Sequence, residues 1–249
     1  MAIDLTVFFK KYEELLAMAD DVFDRIQREY PDCVKCKIKC ADCCYALFDL
    51  SLIEALYINY HFNEKMKGQD RERLIEKSNR IDRRIHKIKK KAYKTLEGGK
   101  TEDDVLMELA EERVRCPLLN DREECDLYDY RPITCRFYGL PTAIGGSGHT
   151  CGLSGFVQGE KYPTVNLDVI QRKLFEISDE LAKEIKSKHI KMAELLVPLS
   201  MAILTEYDDE YLGIGEKKSH NDTEQTRSKG ESDEEDLSGR RGKKKKGHI

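Results

Sequence analysis

The sequence predicts a mainly α-helical protein: a single helical domain with an irregular Cys-rich metal-binding core and at most short β strands. Three observations predict it. Apolar residues recur at steps of three and four in stretch after stretch, the period of a one-faced helix. No alternation of strand and helix patterns runs along the chain, and no internal repeat. The two segments that break the helical pattern are the ones that hold the cysteines, five of the nine falling within twelve residues.

The elements follow in order. Phe8, Tyr12, Leu15, Ala19, Val22, Ile26 and Tyr30 line one face of a long helix that Pro31 must stop, since proline has no N–H to donate and crowds the preceding turn. Ser51 and Glu54 form a capping-box pair ahead of Ala55-Leu56-Tyr57-Ile58. Leu74, Ile81, Ile85, Ile88, Ala92 and Leu96 form the next stripe, closed by Gly98-Gly99. Thr101 is the N-cap of a shorter helix running to Arg115. Leu167, Ile170, Leu174, Ile177, Leu181 and Ile185 mark another, and Met192 to Leu204 a last apolar helix bent or restarted at Pro198. Ala46-Leu47-Phe48 and Pro117-Leu118-Leu119 have the composition of short strands, and Gly139 to Gly155 reads as a flexible loop.

The helical domain takes residues 1–215. The remaining 34 residues, 216–249, hold 10 Lys/Arg and 8 Asp/Glu, with Leu237 and Ile249 as the aliphatic residues. Such a segment has too little apolar surface to offset the entropy of ordering it, and a disordered charged tail is expected. Without it the body carries 33 basic and 39 acidic residues, a formal charge of −6. An acidic body argues against nucleic acid as the partner. A mean hydropathy of −0.62, and no apolar run of spanning length, argue against a membrane. Met1 to Phe9 lacks the basic start and apolar run of a secretory signal, so a cytoplasmic location is expected. There structural disulfides are rare and clustered thiols more often bind metal.

The cysteines lie in two segments, 33–50 and 116–151: Cys33, Cys36, Cys40, Cys43 and Cys44, then Cys116, Cys125, Cys135 and Cys151. Cysteines two or three residues apart can aim at one ion or cluster with little chain strain. Cys33-Val-Lys-Cys36 and Cys40-Ala-Asp-Cys43 form two knuckles that suffice for one tetrahedral zinc. Iron–sulfur clusters also take four thiolates at such spacings, and nine thiols exceed the needs of one zinc site, which favours a [4Fe–4S]-type cluster. Vicinal Cys43 and Cys44 are expected to point apart and serve different roles. Arg131 and Arg136 flank Cys135, where a guanidinium either donates toward sulfur or pairs with nearby acids such as Asp126 and Asp129. Pro132 sets the turn presenting Cys135, and Tyr128 reads as a core residue or hydrogen-bond donor. Cys151 is expected to fold back and complete a site, with His149 beside it. Few apolar residues lie in these segments, so metal is expected to supply much of the folding energy.

Read together, Cys36-xxx-Cys40-xx-Cys43-Cys44, Cys116-Pro-Leu-Leu, Cys125-xx-Tyr128 and Arg131-Pro-xx-Cys135-Arg136 resemble the YkgJ-like cysteine-cluster family, a zinc- or iron-chelating domain of the CxxCxxxCC type. The resemblance covers residues 33–137 and departs from the pattern in the extra Cys33 at the front. It implies a mostly helical metal-chelating domain with the cysteines as ligands and Tyr128, Arg131 and Arg136 around the bound group. It establishes no reaction. Flagellin lysine-N-methylases share this kind of cluster, so protein-lysine methylation is one activity the resemblance implies. The CxxxCxxC at Cys36 is also similar to the motif of radical S-adenosylmethionine enzymes, whose β/α barrel the helical pattern here does not offer.

Other signals are weaker. Residues 80–94 hold eight Lys/Arg against Asp82 alone, a solvated helix face or a docking face for an acidic partner or nucleic acid. His61, His86, His189, His220 and His248 show no ligand pairing and read as surface residues. No nucleophile elbow, Cys–His signature or phosphate-binding loop occurs, so no catalytic residue is named. The chain thus reads as a metal-binding protein, an iron–sulfur or zinc centre serving electron transfer, sensing or metal handling. A methylase-like enzyme and a structural zinc module that binds a partner are the alternatives.

Overall fold

The structure, a computed structural model, describes residues 4–37 and 39–215, which belong to one unit ending at Gly215. The charged segment 216–249 lies outside the described residues. Among those described, seven α-helices dominate: α1 (Thr6–Glu29), α2 (Leu52–Lys65), α3 (Gly68–Glu97), α4 (Glu102–Glu111), α5 (Ile133–Phe137), α6 (Leu167–Glu184) and α7 (Leu199–Leu204). Two small sheets complete the fold. β1 (Asp49–Ser51) pairs antiparallel with β5 (Leu196–Pro198), Leu50 opposite Val197. β2 (Thr142–Ile144) lies between antiparallel β3 (Ser147–His149) and parallel β4 (Val165–Asn166).

The helical periods mostly translate directly. α1 buries Phe8, Phe9, Tyr12, Leu15, Leu16, Ala19 and Ile26, and its last carbonyls are met by Tyr30 N–H just before Pro31. The Ser51–Glu54 capping box forms, with Glu54 Oε2 accepting from Ser51 N–H (3.0 Å) and Oγ (2.9 Å). α3 starts at Gly68 and stops at Gly98. Thr101 Oγ1 accepts the Asp104 N–H at 3.2 Å and caps α4. That helix ends at Glu111 rather than Arg115, because Arg113 leaves to bridge Ala46.

Two hydrophobic clusters share α2. Leu52, Ile53 and Leu56 face α1, α5 and α6, where Tyr12, Leu16, Ala19, Ile133, Phe137, Leu174 and Leu181 pack. Ala55, Ile58 and Phe62 face the other way, toward Leu74, Leu118, Leu127, Val197, Ala202 and Ile203. A helix buried on two sides shows little one-faced character, which is why its sequence signal was chiefly its cap. Burying each Leu- or Phe-sized side chain is worth about 1.5–3 kcal/mol, so this double sandwich holds the Cys segments from both sides.

Several expectations are corrected. Residues 192–204 are not one helix: a short 3₁₀ turn, strand β5 and α7 succeed one another, because Pro198 cannot continue a helix and β1 offers a partner edge to Leu196–Pro198. The strand near Ala46 lies three residues later, at Asp49–Ser51, and Ala46 itself makes a single bridge. The Gly-rich loop is in part a hairpin, because Gly145 and Gly146 (φ 56° and 81°) supply the left-handed pair that a two-residue turn demands. The second Cys segment is not poor in core: Leu118, Leu119, Leu127, Ile133, Phe137 and Leu140 are all buried, since Leu118 and Leu127 enter one hydrophobic cluster and Ile133, Phe137 and Leu140 the other. His61 is half-buried, stacked on Tyr130 at 3.7 Å and edge-on to Tyr57.

Candidate metal centre

Backbone pairing brings the two Cys segments together. Cys116 N–H donates to the Cys44 carbonyl (2.6 Å), Val114 N–H to that of Tyr45 (2.9 Å), and Ala46 bridges Arg113. Residues 44–46 and 113–116 therefore run side by side, and Cys44 sits against Cys116. A hairpin then returns the chain: Asp126 N–H reaches the Leu118 carbonyl (2.9 Å), and Leu119 bridges Cys125. Asn120 ties that turn, its Oδ1 accepting from Arg122 N–H (2.9 Å) and Glu124 N–H (3.0 Å). Cys135 arrives on α5, whose Ile133 and Phe137 are buried in the cluster around α1. Pro132 sits at the N-cap of α5, and its carbonyl accepts the Cys135 N–H at 3.0 Å.

The result is a cavity of about 50 Å³ lined by five thiols, Cys43, Cys44, Cys116, Cys125 and Cys135. Phe48, Ile81 and Ile85 of α3, and Leu199 form its apolar wall, and Arg115 and Arg131 reach its edge. Outside the cavity, Cys36 Sγ meets the Tyr138 carbonyl (3.4 Å), and Cys151 Sγ meets Asp42 Oδ2 (3.5 Å). Among the described residues no three His, Cys, Asp or Glu side chains are grouped closely enough to hold one ion. Cys43 and Cys44, in a 3₁₀ turn over Asp42–Tyr45, both line this cavity.

The electrostatics of the cavity are those of crowded thiols. Burial pushes Cys116 up to about 12 and Cys125 to about 11, and the neighbouring thiols add to the first effect. Cys135 is raised further by burial and by Cys43, Cys116 and Cys125, with Arg131 opposing. Cys43 alone goes down, to about 7, because the Cys44 thiol donates to its sulfur and Arg131 adds positive charge against the cost of burial. Lys77, whose Nζ donates to the Leu119 carbonyl, stands close enough to favour a Cys116 thiolate. A divalent cation would reverse the upward shifts, since a coordinated thiol loses its proton outright.

The two arginines beside Cys135 separate in role. Arg136, 6% exposed, pairs with Asp20 on α1 and donates to the carbonyls of Asp129 (2.6 Å) and Arg131 (3.2 Å). It holds the loop and does not line the cavity. Arg131 lines the cavity, reaches Asp20 at 3.5 Å and stacks on the Tyr128 ring at 4.2 Å. Tyr128 is exposed rather than core, a platform under that guanidinium.

The remaining cysteines stand apart from the cavity lining. Cys33 packs against the hydrophobic cluster around Tyr30 and Phe156, its carbonyl accepting from Gly155 N–H at 2.8 Å. Cys36 meets the Tyr138 carbonyl and Cys151 the Asp42 carboxylate. Cys151 does fold back to the first segment, while His149 stays exposed on β3. Sequence reading missed Arg115, Lys77, Asp42, Tyr138 and Asp20. Arg115 adjoins Cys116 in the chain and Asp42 lies between two cysteines, but Lys77 and Asp20 sit on distant helices and carry no local signal. No helix among the described residues is long and apolar enough to cross a membrane. Comparison with models of protein families, with curated proteins and with solved structures gave no match for this chain.

Proposed function

We propose that this is a metal-binding protein whose thiol-lined cavity takes a thiolate-ligated centre, an iron–sulfur cluster in preference to zinc, for electron transfer, sensing or metal handling. The observation that carries it is the convergence on one cavity of five cysteines from two segments some seventy residues apart. Four ligands suffice for either centre, so one thiol is in excess. The donor set is sulfur alone, with no imidazole or carboxylate in the lining, which suits iron–sulfur chemistry. Arg131, Arg115 and Lys77 would offset the negative charge that several thiolates bring. Bound there, the centre would supply one-electron chemistry if it is iron–sulfur and structural bracing if it is zinc. The chain's part is to bring the sulfurs together, exclude water with Phe48, Ile81, Ile85 and Leu199, and set the local charge. Anaerobic purification with an absorption spectrum and elemental analysis tests it. Brown protein with several iron atoms per chain is expected. Colourless protein with one zinc replaces the cluster by a structural ion, and metal-free protein refutes the reading.

The fold also leaves a basic face on α3, where Arg80, Arg83, Lys87, Lys91 and Lys94 are exposed along one side. We propose that it docks an acidic protein partner, in the cytoplasm. Retention on heparin should fall on charge reversal of Arg83, Lys87 and Lys91; unchanged retention removes the face from that role.

A further inference from the structure

Beyond Ile85, α3 leaves the hydrophobic core. Among the described residues no side chain of 86–112 enters either hydrophobic cluster; α4 instead packs back along α3, with Val105 buried. Lys89 ties this helical hairpin to β1 through Asp49 (2.6 Å). Between the two helices runs a groove of about 590 Å³. Ile88 and Ala92 of α3 and Leu109 of α4 give it an apolar strip, and its charges divide by helix. Lys91 comes from α3, whereas Glu108, Glu111 and the C-capping Glu112 come from α4; Lys100, in the turn between, pairs with Glu108. The division continues outside the groove. With 3.6 residues per turn, the exposed Arg80, Arg83, Lys87 and Lys94 all fall within about a quarter-turn of Lys91. Asp104, Glu108 and Glu111, exposed at steps of four and three, share one face of α4.

We propose that this hairpin is a self-association face, on which the acidic partner of α3 is α4 of a second copy of the chain. This rests on the reading above that the α3 face docks an acidic protein, and it names that protein. Charge complementarity selects the second copy: the surface presents both signs side by side, and a two-fold axis along the hairpin lays each basic α3 on the other copy's acidic α4. Basic meets acidic twice in such a pair. The apolar strips of Ile88, Ala92 and Leu109 close on their counterparts between these contacts, as in a four-helix bundle. The ten residues of α4 make about 15 Å of helix. A face two helices wide then covers roughly 300 Å² per copy, less than half the ~800 Å² per partner of a standard interface. The pairing is therefore weak and reversible, and salt weakens it further.

Sedimentation velocity on the full chain, kept reduced, tests it over about 5 to 300 µM protein at low and high salt. The wild type should pass from monomer toward dimer with concentration, and high salt should push it back. Lys87→Glu/Lys91→Glu and Glu111→Lys/Glu112→Lys each set like charges against each other at both contacts of a two-fold pair, so each variant alone should stay monomeric. Mixed in equal amounts the two should associate, because one contact is then wild type and the other has both charges exchanged. Unchanged far-ultraviolet spectra check that the variants fold. The unaltered chain gives a second readout: carbodiimide coupling of isotope-labelled with unlabelled protein should yield mixed-label links between lysines of α3 and glutamates of α4. A mixture of variants that stays monomeric, or a dimer indifferent to both variants, overturns the self-pairing. A wild type that is monomeric throughout also overturns it, and heparin retention then judges the reading beneath. Retention that falls on charge reversal of α3 leaves the acidic-partner reading standing, and unchanged retention removes both.

Discussion

Asp20, midway along α1, takes the guanidinium of Arg136, a side chain 6% exposed at the end of the loop that presents Cys135. The pair joins the first helix to the thiol cavity, because Arg136 also holds the carbonyls of Asp129 and Arg131. Without Asp20 a buried cation loses its counter-charge. Asp20 is itself 42% exposed, so water screens part of the loss, and Asp20→Ala should cost about 1–3 kcal/mol. A urea midpoint that falls at unchanged slope is the expected result; an unchanged midpoint would mean that water replaces the carboxylate fully.

Glu54 ties three elements together, accepting from Ser51 at the start of α2, from Ile133 N–H at the start of α5 (3.2 Å) and from Tyr12 Oη on α1 (3.4 Å). Burial raises its carboxyl above the ordinary range despite those hydrogen bonds. The folded chain thus holds this proton more tightly than the unfolded one. The resulting stability is full below the unfolded value, about 4.3, and is lost as pH rises through the folded value. Glu54→Gln removes the titration. Its stability deficit against the wild type should therefore shrink or invert between pH 4.5 and pH 8; a deficit that grows with pH contradicts this account.

In metal-free, reduced protein Cys43 should be the first cavity thiol alkylated as pH rises through about 7, because the Cys44 thiol donates to it while burial keeps Cys116 and Cys135 protonated. Peptide mass mapping after short iodoacetamide pulses reads the order. Cys44→Ala removes the donor and should slow labelling of Cys43 at pH 7 severalfold. Equal labelling of Cys43 and Cys116 at that pH would count against the hydrogen bond.

Gly139→Ala meets two obstacles at once, a left-handed backbone and the sulfur of Cys36, whereas Gly146→Ala on the open hairpin turn meets the first alone. Left-handed strain costs on the order of 1 kcal/mol. The Gly139 variant should lose measurably more stability than the Gly146 variant, and it should expose Cys36 to alkylation. Equal melting temperatures would show that Cys36 moves aside freely.

How much of this was legible in the sequence depended on range. The helices of residues 6–29, 68–97 and 167–184 announced themselves because a one-faced helix repeats its apolar residues every three or four positions, and its caps lie within a turn. The capping box at Ser51 and the stop before Pro31 are local chemistry of the same kind. Residues 192–204 misled because an apolar run has no direction of its own: strand β5 exists only because β1 lies beside it.

The candidate site divides along the same line. Spacing alone marked all nine cysteines, since ligands close in the chain cost little entropy to gather. Only the tertiary structure decided that Cys43, Cys44, Cys116, Cys125 and Cys135 share a cavity, that Cys33 packs against the apolar cluster instead, and that Arg136 serves Asp20 while Arg131 serves the thiols. Those choices are made by pairings between segments, such as Cys44 with Cys116 and Asp20 with Arg136, whose partners are seventy or more residues apart. No local pattern encodes such a pairing; it follows from how elements distant in the sequence pack against one another.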